Sequence, residues 1–140
     1  MAEAYLKDAV AKLGIEIEVE SAGTDPSQGM YPPSEALERI GHRAAYEHRA
    51  ARLVTPEMLT KADLILVMEE HHKKRLQTLS PAESTKVHLL LDFDPAPDPH
   101  HREMGIPDPY RMSSHFYDNV NEIIRQCCDE LIKRLKQARK

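Results

Sequence analysis

The run Leu64-Ile65-Leu66-Val67-Met68, unbroken in its apolar character and bounded by Asp63 and Glu69, constrains this chain more than any other stretch. On a strand, five consecutive apolar side chains point alternately to both faces, so both faces need cover. That condition is met by a parallel sheet held between helical layers. Val87-His88-Leu89-Leu90-Leu91 reads as a second buried strand. Between the two, residues 69–79 form a charged helical pattern with Leu76 turned inward. The chain is therefore built around a strand-helix-strand unit.

The flanking segments extend this pattern. Residues 2–13 read as an amphipathic helix with Leu6, Val10 and Leu13 on one face, and Gly14 is placed to end it. Ile15-Glu16-Ile17-Glu18-Val19-Glu20 alternates strictly, which predicts an edge strand with one wet, acidic face. Residues 21–33 hold Gly23, Pro26, Gly29, Pro32 and Pro33 and read as a long loop. A short helix is expected over 34–40, with Ala36, Leu37 and Ile40 inward and Gly41 closing it. Thr55-Pro56-Glu57 marks another helix start: a hydroxyl cap, a proline in the first turn and an acid at the positive dipole end. After a proline-rich loop over 92–112, Ser113 or Ser114 caps a last helix. Its apolar face is Phe116, Val120, Ile123, Ile124, Cys127, Leu131 and Leu135.

The order α-β-α-α-β-α-β-α calls for one three-layer α/β domain, a parallel sheet flanked by helices, with three strands evident in residues 1–140. Binding sites in such folds lie at the carboxyl ends of the strands, here the loops at 21–33, 69–72 and 92–112. A formal net charge of −4 without a long basic block argues against nucleic acid as a partner. No apolar run approaches the roughly 18–20 residues a membrane span needs. The first residues are amphipathic and carry acids, unlike a signal peptide, and the two cysteines are adjacent, which disfavours an ordinary disulfide; a cytoplasmic location is the expectation.

Within the last loop, Gly105-Ile106-Pro107-Asp108-Pro109-Tyr110 stands out. Two prolines leave Asp108 little backbone freedom, and Tyr110 adds an aromatic face. A rigid carboxyl beside an aromatic wall suits an acid or base for a planar substrate; a solvated surface turn is the alternative. Asp92-Phe93-Asp94-Pro95-Ala96-Pro97-Asp98-Pro99-His100-His101 has residue types that suit a divalent metal but no recognised ligand spacing. His71-His72 opens a helix and is equally open to a polar-surface reading, and Cys127 and Cys128 read as packing residues. No Walker or Rossmann glycine pattern is present, and no cofactor is implied.

Taken in order, these pieces resemble the low molecular weight protein tyrosine phosphatase family. The resemblance is carried by Met1-Ala2-Glu3-Ala4, Ser21-Ala22-Gly23-Thr24, residues 62–68, His72-Lys73, Phe93-Asp94-Pro95, residues 106–110 and Cys127-Cys128. It implies a four-stranded parallel sheet between helices and phosphomonoester hydrolysis through a phosphocysteine intermediate, without a metal or other cofactor. It implies Asp108 as general acid, protonating the leaving phenolic oxygen and then helping to activate water, and Tyr110 as a wall of the phenyl slot. Phosphorylated proteins (phosphotyrosine, or phosphoarginine) and small aryl phosphates are the implied substrates.

Departures from the family pattern are specific. Arg49 stands where a histidine usually precedes the position of Thr55, residues 24–30 hold no aromatic, and Arg111 replaces a second tyrosine. The family's first strand and its Cys-x5-Arg-Ser-Pro loop would precede Met1. The expectation is thus a domain truncated at its N-terminus and lacking its central strand, marginal in stability or prone to pair its orphaned strands. It would be catalytically incompetent as given, with a start that lies upstream. A catalytically dead phosphoprotein-binding module and an unrelated metal-binding α/β protein are the alternatives.

Overall fold

The computed structural model describes residues 1–25, 30–96 and 105–138. In chain order it contains α1 (Ala2–Lys12), α2 (Ser34–Leu37), α3 (Pro56–Lys61), β1 (Ile65–Val67), α4 (Glu70–Leu79), β2 (Val87–Leu89) and α5 (Ser114–Ala138). Short 3-10 segments occupy Arg43–Ala45, Pro81–Lys86 and Leu90–Phe93.

The strand-helix-strand unit forms as its apolar runs require. β1 and β2 are parallel neighbours, with Ile65 opposite Val87, Leu66 opposite His88 and Val67 opposite Leu89. Ile65 and Val67 face one way and join Leu59 of α3, Leu76 of α4, Val87 and Leu89 in one buried cluster. Leu64, Leu66 and Met68 face the other way, onto a larger cluster built from Leu6 and Val10 of α1 and the long face of α5. Two clusters on opposite sides of one sheet make the three layers.

Local chemistry sets the helix ends. Gly14, at φ +67°, closes α1: its N–H and that of Ile15 return to the carbonyls of Ala11 and Val10, the paired reverse bonds of a glycine C-cap. Thr55 Oγ1 accepts from the Met58 N–H at 3.3 Å to start α3, and Ser113 Oγ accepts from the Phe116 N–H at 3.2 Å to start α5.

Three expectations need correction. Residues 15–20 keep their alternation, with Ile15, Ile17 and Val19 half-buried against the α1–α5 cluster and the three glutamates exposed. They nevertheless form no ladder with another described segment, so the sheet has two strands among the described residues. Alternation requires only one apolar surface to lie on, whereas a strand requires a second backbone. The link nearby is a single parallel bridge, Gly23 to Leu53, carried by Gly23 N–H to Arg52 O at 2.8 Å and Val54 N–H to Gly23 O at 2.9 Å.

The second correction concerns 87–91. His88 is exposed, and the strand gives way to the 3-10 turn at Leu90, which rolls Leu90 and Leu91 onto the opposite cluster from Val87 and Leu89. The third is α2, which ends at Leu37 and leaves Ile40 only half-buried beyond it. Among the described residues, no helix is long and apolar enough to cross a membrane.

Candidate functional site

The carboxyl end of β1 is where the proline-clamped aspartate is tethered. Met68 O accepts from the Ile106 N–H at 2.7 Å, and Glu69 pairs with Gly105 in an antiparallel bridge. Gly105 sits at φ +83°, and a Cβ built on it would lie 2.1 Å from Met68 O and 2.8 Å from the Glu69 Cα. Glycine is required here twice over, by conformation and by space. Next to it, Ile106 is buried in the larger cluster. The loop therefore leaves the sheet from a fixed point two residues before Asp108.

From that anchor Pro107 and Asp108 emerge exposed, while Pro109 turns back inward. Asp108 Oδ1 accepts from the Tyr110 N–H at 3.0 Å, an Asx turn that fixes the carboxyl plane. Tyr110 is exposed, and Arg111, at φ +65°, lays its guanidinium 5.3 Å from the Tyr110 ring centre. Met112 N–H returns to Pro109 O at 2.9 Å, and Ser113 begins α5.

Two side chains that the sequence did not single out lie close to this turn. Tyr117 is 2% exposed, and its phenol is pushed up by burial and then by the nearby charges of Glu35, Asp108 and Tyr110, against the opposing Arg39. Arg39 lies 5.4 Å from the Tyr117 ring centre and ties α2 to α5: it donates to Glu35 O, to Ser114 O and Oγ, and to Asp118 Oδ1 at 2.7 Å. Tyr117 was legible in principle. Residues 117, 120, 124, 127 and 131 alternate steps of three and four, so it heads the same stripe as Val120.

Glu69 and His72 form a reciprocal capping box at the start of α4. The Glu69 backbone N–H donates to His72 Nδ1 at 3.1 Å, so the neutral ring carries its own proton on Nε2. Burial and then the His71 charge push the His72 imidazole down, while Glu69 and Asp108 act the other way. Donor atoms of Glu69, His71 and His72 lie within 4.8 Å of one another. In this arrangement His72 Nδ1 is engaged by the helix cap rather than offered as a free ligand. Of the Asp92–His101 stretch whose residue types suit a metal, residues 97–101 lie outside the described residues; Asp94 Oδ1 accepts from the Ala96 N–H at 3.0 Å and closes a turn.

The cysteines are no nucleophiles where they stand. Cys127 and Cys128 are fully buried in α5. Burial, and then Asp94, pushes the Cys127 thiol up to about 12. Burial, Cys127 and Asp129 together do the same to Cys128, against the amino terminus. A literal Cys-x5-Arg spacing does occur, from Cys128 to Arg134. Both residues lie on one straight helix, about 240° apart around its axis, so they cannot cradle one anion. Arg134 is already paired with Glu130 and lies 5.1 Å from the Phe93 ring centre.

Arg49 has a structural task of its own. Its Nη1 donates to both carboxylate oxygens of the buried Glu3 at 2.9 Å, alongside Ser21 Oγ at 2.8 Å and Lys7 Nζ at 3.1 Å. Burial opposes ionisation of Glu3, but the Ser21, Arg49 and Lys7 hydrogen bonds and the Arg49 charge together hold its carboxyl below the usual range.

Helical layers on both faces of a parallel sheet, with an aspartate turn at a strand's carboxyl end, define an α/β domain whose function must be read from its site and its relatives. The family model described as low molecular weight phosphotyrosine protein phosphatase matches residues 1–140. A probable low molecular weight protein-tyrosine-phosphatase, EpsP, of Ralstonia nicotianae is 29% identical over 97% of this chain and 86% of its own length. The low molecular weight protein-tyrosine-phosphatase Wzb of Escherichia coli K12 is 31% identical over 79% of this chain and 71% of its own. The crystal structure of a low molecular weight phosphotyrosine phosphatase from Vibrio cholerae O395 superposes with a TM-score of 0.84 at 26% identity, covering 98% of this chain and 88% of that one. This chain belongs to the low molecular weight phosphotyrosine protein phosphatase family.

Proposed function

We propose that these 140 residues carry the general-acid half of a protein-tyrosine phosphatase, and that Asp108 is that acid. The observation that supports this reading best is the Asp108 turn itself. Oδ1 is held by the Tyr110 N–H, Oδ2 accepts no hydrogen bond from the described residues, and the turn projects from the carboxyl end of β1. In its protonated form such a group delivers a proton to a leaving phenolate, and the carboxylate left behind takes a proton from the attacking water. This contributes typically about 10²–10⁴-fold. Tyr110 serves as one wall of the slot for the phenyl ring. Arg111 covers part of that wall with positive charge, which favours aryl phosphates flanked by acids and disfavours a second guanidinium, so phosphotyrosine is preferred to phosphoarginine.

Among the described residues neither cysteine is placed to be the nucleophile for this step. Both thiols are buried with their protons held, and attack on phosphorus needs a thiolate backed by donors for the phosphoryl oxygens. The 140 residues on their own are therefore expected to hydrolyse p-nitrophenyl phosphate near the uncatalysed rate. A chain that carries a Cys-x5-Arg-Ser-Pro loop and its strand ahead of Met1 is expected to turn it over, with Asp108→Asn lowering kcat by about 10²–10⁴. Enzymatic turnover by the 140 residues alone, or a loop-bearing chain indifferent to Asp108→Asn, would overturn the proposal.

A further inference from the structure

We propose that His72 is a positioning residue for Asp108, acting through the Glu69 cap, and that protonating its ring loosens the start of the Asp108 loop. The inference rests on the reading of Asp108 as the acid, and its reasoning is geometric. Glu69 does three things at once. It lies two residues past the end of β1, its N–H donates to His72 Nδ1 at 3.1 Å, and it is the residue that bridges Gly105. One residue on, Ile106 N–H binds Met68 O at 2.7 Å. The imidazole that fixes Glu69 therefore also fixes the peptide units from which the Asp108 turn departs.

Gly105 makes this joint unforgiving. Its α-carbon packs so closely on Met68 O and the Glu69 Cα that a single added carbon does not fit. A shift of Glu69 is thus passed to Gly105 rather than absorbed between them. Downstream there is little slack, because Pro107 and Pro109 have fixed φ and Asp108 is tied to the Tyr110 N–H.

Protonation of the ring breaks the joint by simple donor arithmetic. Neutral His72 offers Nδ1 as an acceptor, whereas the imidazolium has a proton on both nitrogens and turns a donor toward the Glu69 N–H. The cap is lost, and the Glu69 N–H is left facing another donor. The charged groups facing the ring are Glu69 and His71 from its own helix and Asp108 from the opposing loop. Burial favours the neutral, capping form, and the structure has the ring in that role. Where His72 is neutral the loop is anchored; as pH falls through its depressed midpoint the anchor is released.

The test is an NMR titration of the 140-residue chain, following the His72 Cε1–H and the amides of Ile106 and Tyr110 from pH 8 to pH 4 (set in steps of about half a unit). Both amides are expected to move with the midpoint of His72. In His72→Asn, whose side-chain oxygen keeps an acceptor at the same helix position without titrating, that inflection is expected to vanish. His71→Asn is expected to retain it, and Asp108→Asn to move the His72 midpoint to lower pH by removing a charge that favours the imidazolium. Loop amides that stay flat through the His72 transition in the wild-type chain would overturn the proposal, whatever the variants do. An inflection that persists in His72→Asn would overturn it as well. Neither readout involves hydrolysis, so failure here is distinct from failure of Asp108 as the acid, which is decided by rate.

Discussion

Two extended segments of this molecule look equally regular in sequence and differ in what holds them. Residues 64–68 span β1 and its ends, with a hydrogen-bonded neighbour strand, apolar contacts on both faces and, at Met68, a second attachment through Ile106. Residues 15–20 have apolar contacts on one face, an ion pair from Glu20 to Arg52 on the other, and no ladder among the described residues. Alternating side chains specify which way a segment faces. They do not specify that another backbone will be there to pair with it. The Asp108 turn departs from the first kind of segment, the support that the proposed general acid would need.

Core truncations measure the difference most strongly. Leu90, 1% exposed where the chain rolls from β2 onto the larger cluster, should cost about 2–5 kcal/mol as Leu90→Ala in urea denaturation. Ile17→Ala, on the half-buried alternating segment, should cost about 1 kcal/mol. Equal losses at the two positions would mean that residues 15–20 are as firmly built in as the sheet.

Gly105→Ala probes the attachment beyond β1. The positive φ and the contact with Met68 O should cost about 1–3 kcal/mol in the same assay. The accompanying sign is faster amide exchange at Ile106 with Val67 and Leu89 unchanged. Exchange that accelerates equally through β1 and β2 would make Gly105 a global rather than a local fastener.

A further effect concerns the start of α1. Arg49→Ala strips two hydrogen bonds from buried Glu3, and because Arg49 keeps a third of its side chain in water the loss should be about 1–2 kcal/mol at neutral pH. The sign with pH follows from Glu3, whose folded carboxyl is held below its ordinary range. Its stabilisation is present above the unfolded value, ~4.3, and is lost as pH falls through the folded one. The gap between wild type and Arg49→Ala should therefore close on acidification. A gap that stays constant down to pH 3 (the lower end of such a series) would place the contribution of Arg49 elsewhere.

Much of this was legible in the chain. The β1 run, the caps at Thr55 and Ser113, Gly14 and the apolar stripe of α5 each state a local preference that the fold honours. The proline clamp marked Asp108 and Tyr110 as a rigid pair, and the Asx turn between them is local too. What escaped depends on contacts between distant segments. Gly105 matters because of Met68 and Glu69, 36 or more residues earlier. Arg39 matters because of Ser114 and Asp118. The break at Leu90 comes from competition between two clusters, which no five-residue window contains. Tyr117 was passed over because a phenol reads as polar, although its spacing belongs to the buried stripe.

The central claim is that the junction of β1 and α4 exists, functionally, to present Asp108. A double-mutant cycle in the loop-bearing chain tests it directly, with Gly105→Ala and Asp108→Asn measured singly and together by kcat on p-nitrophenyl phosphate. If the junction acts through Asp108, Gly105→Ala lowers kcat when Asp108 is present and has almost no further effect once Asp108 is gone. Losses that simply multiply in the double variant would contradict the account, since the junction and the acid would then be acting independently.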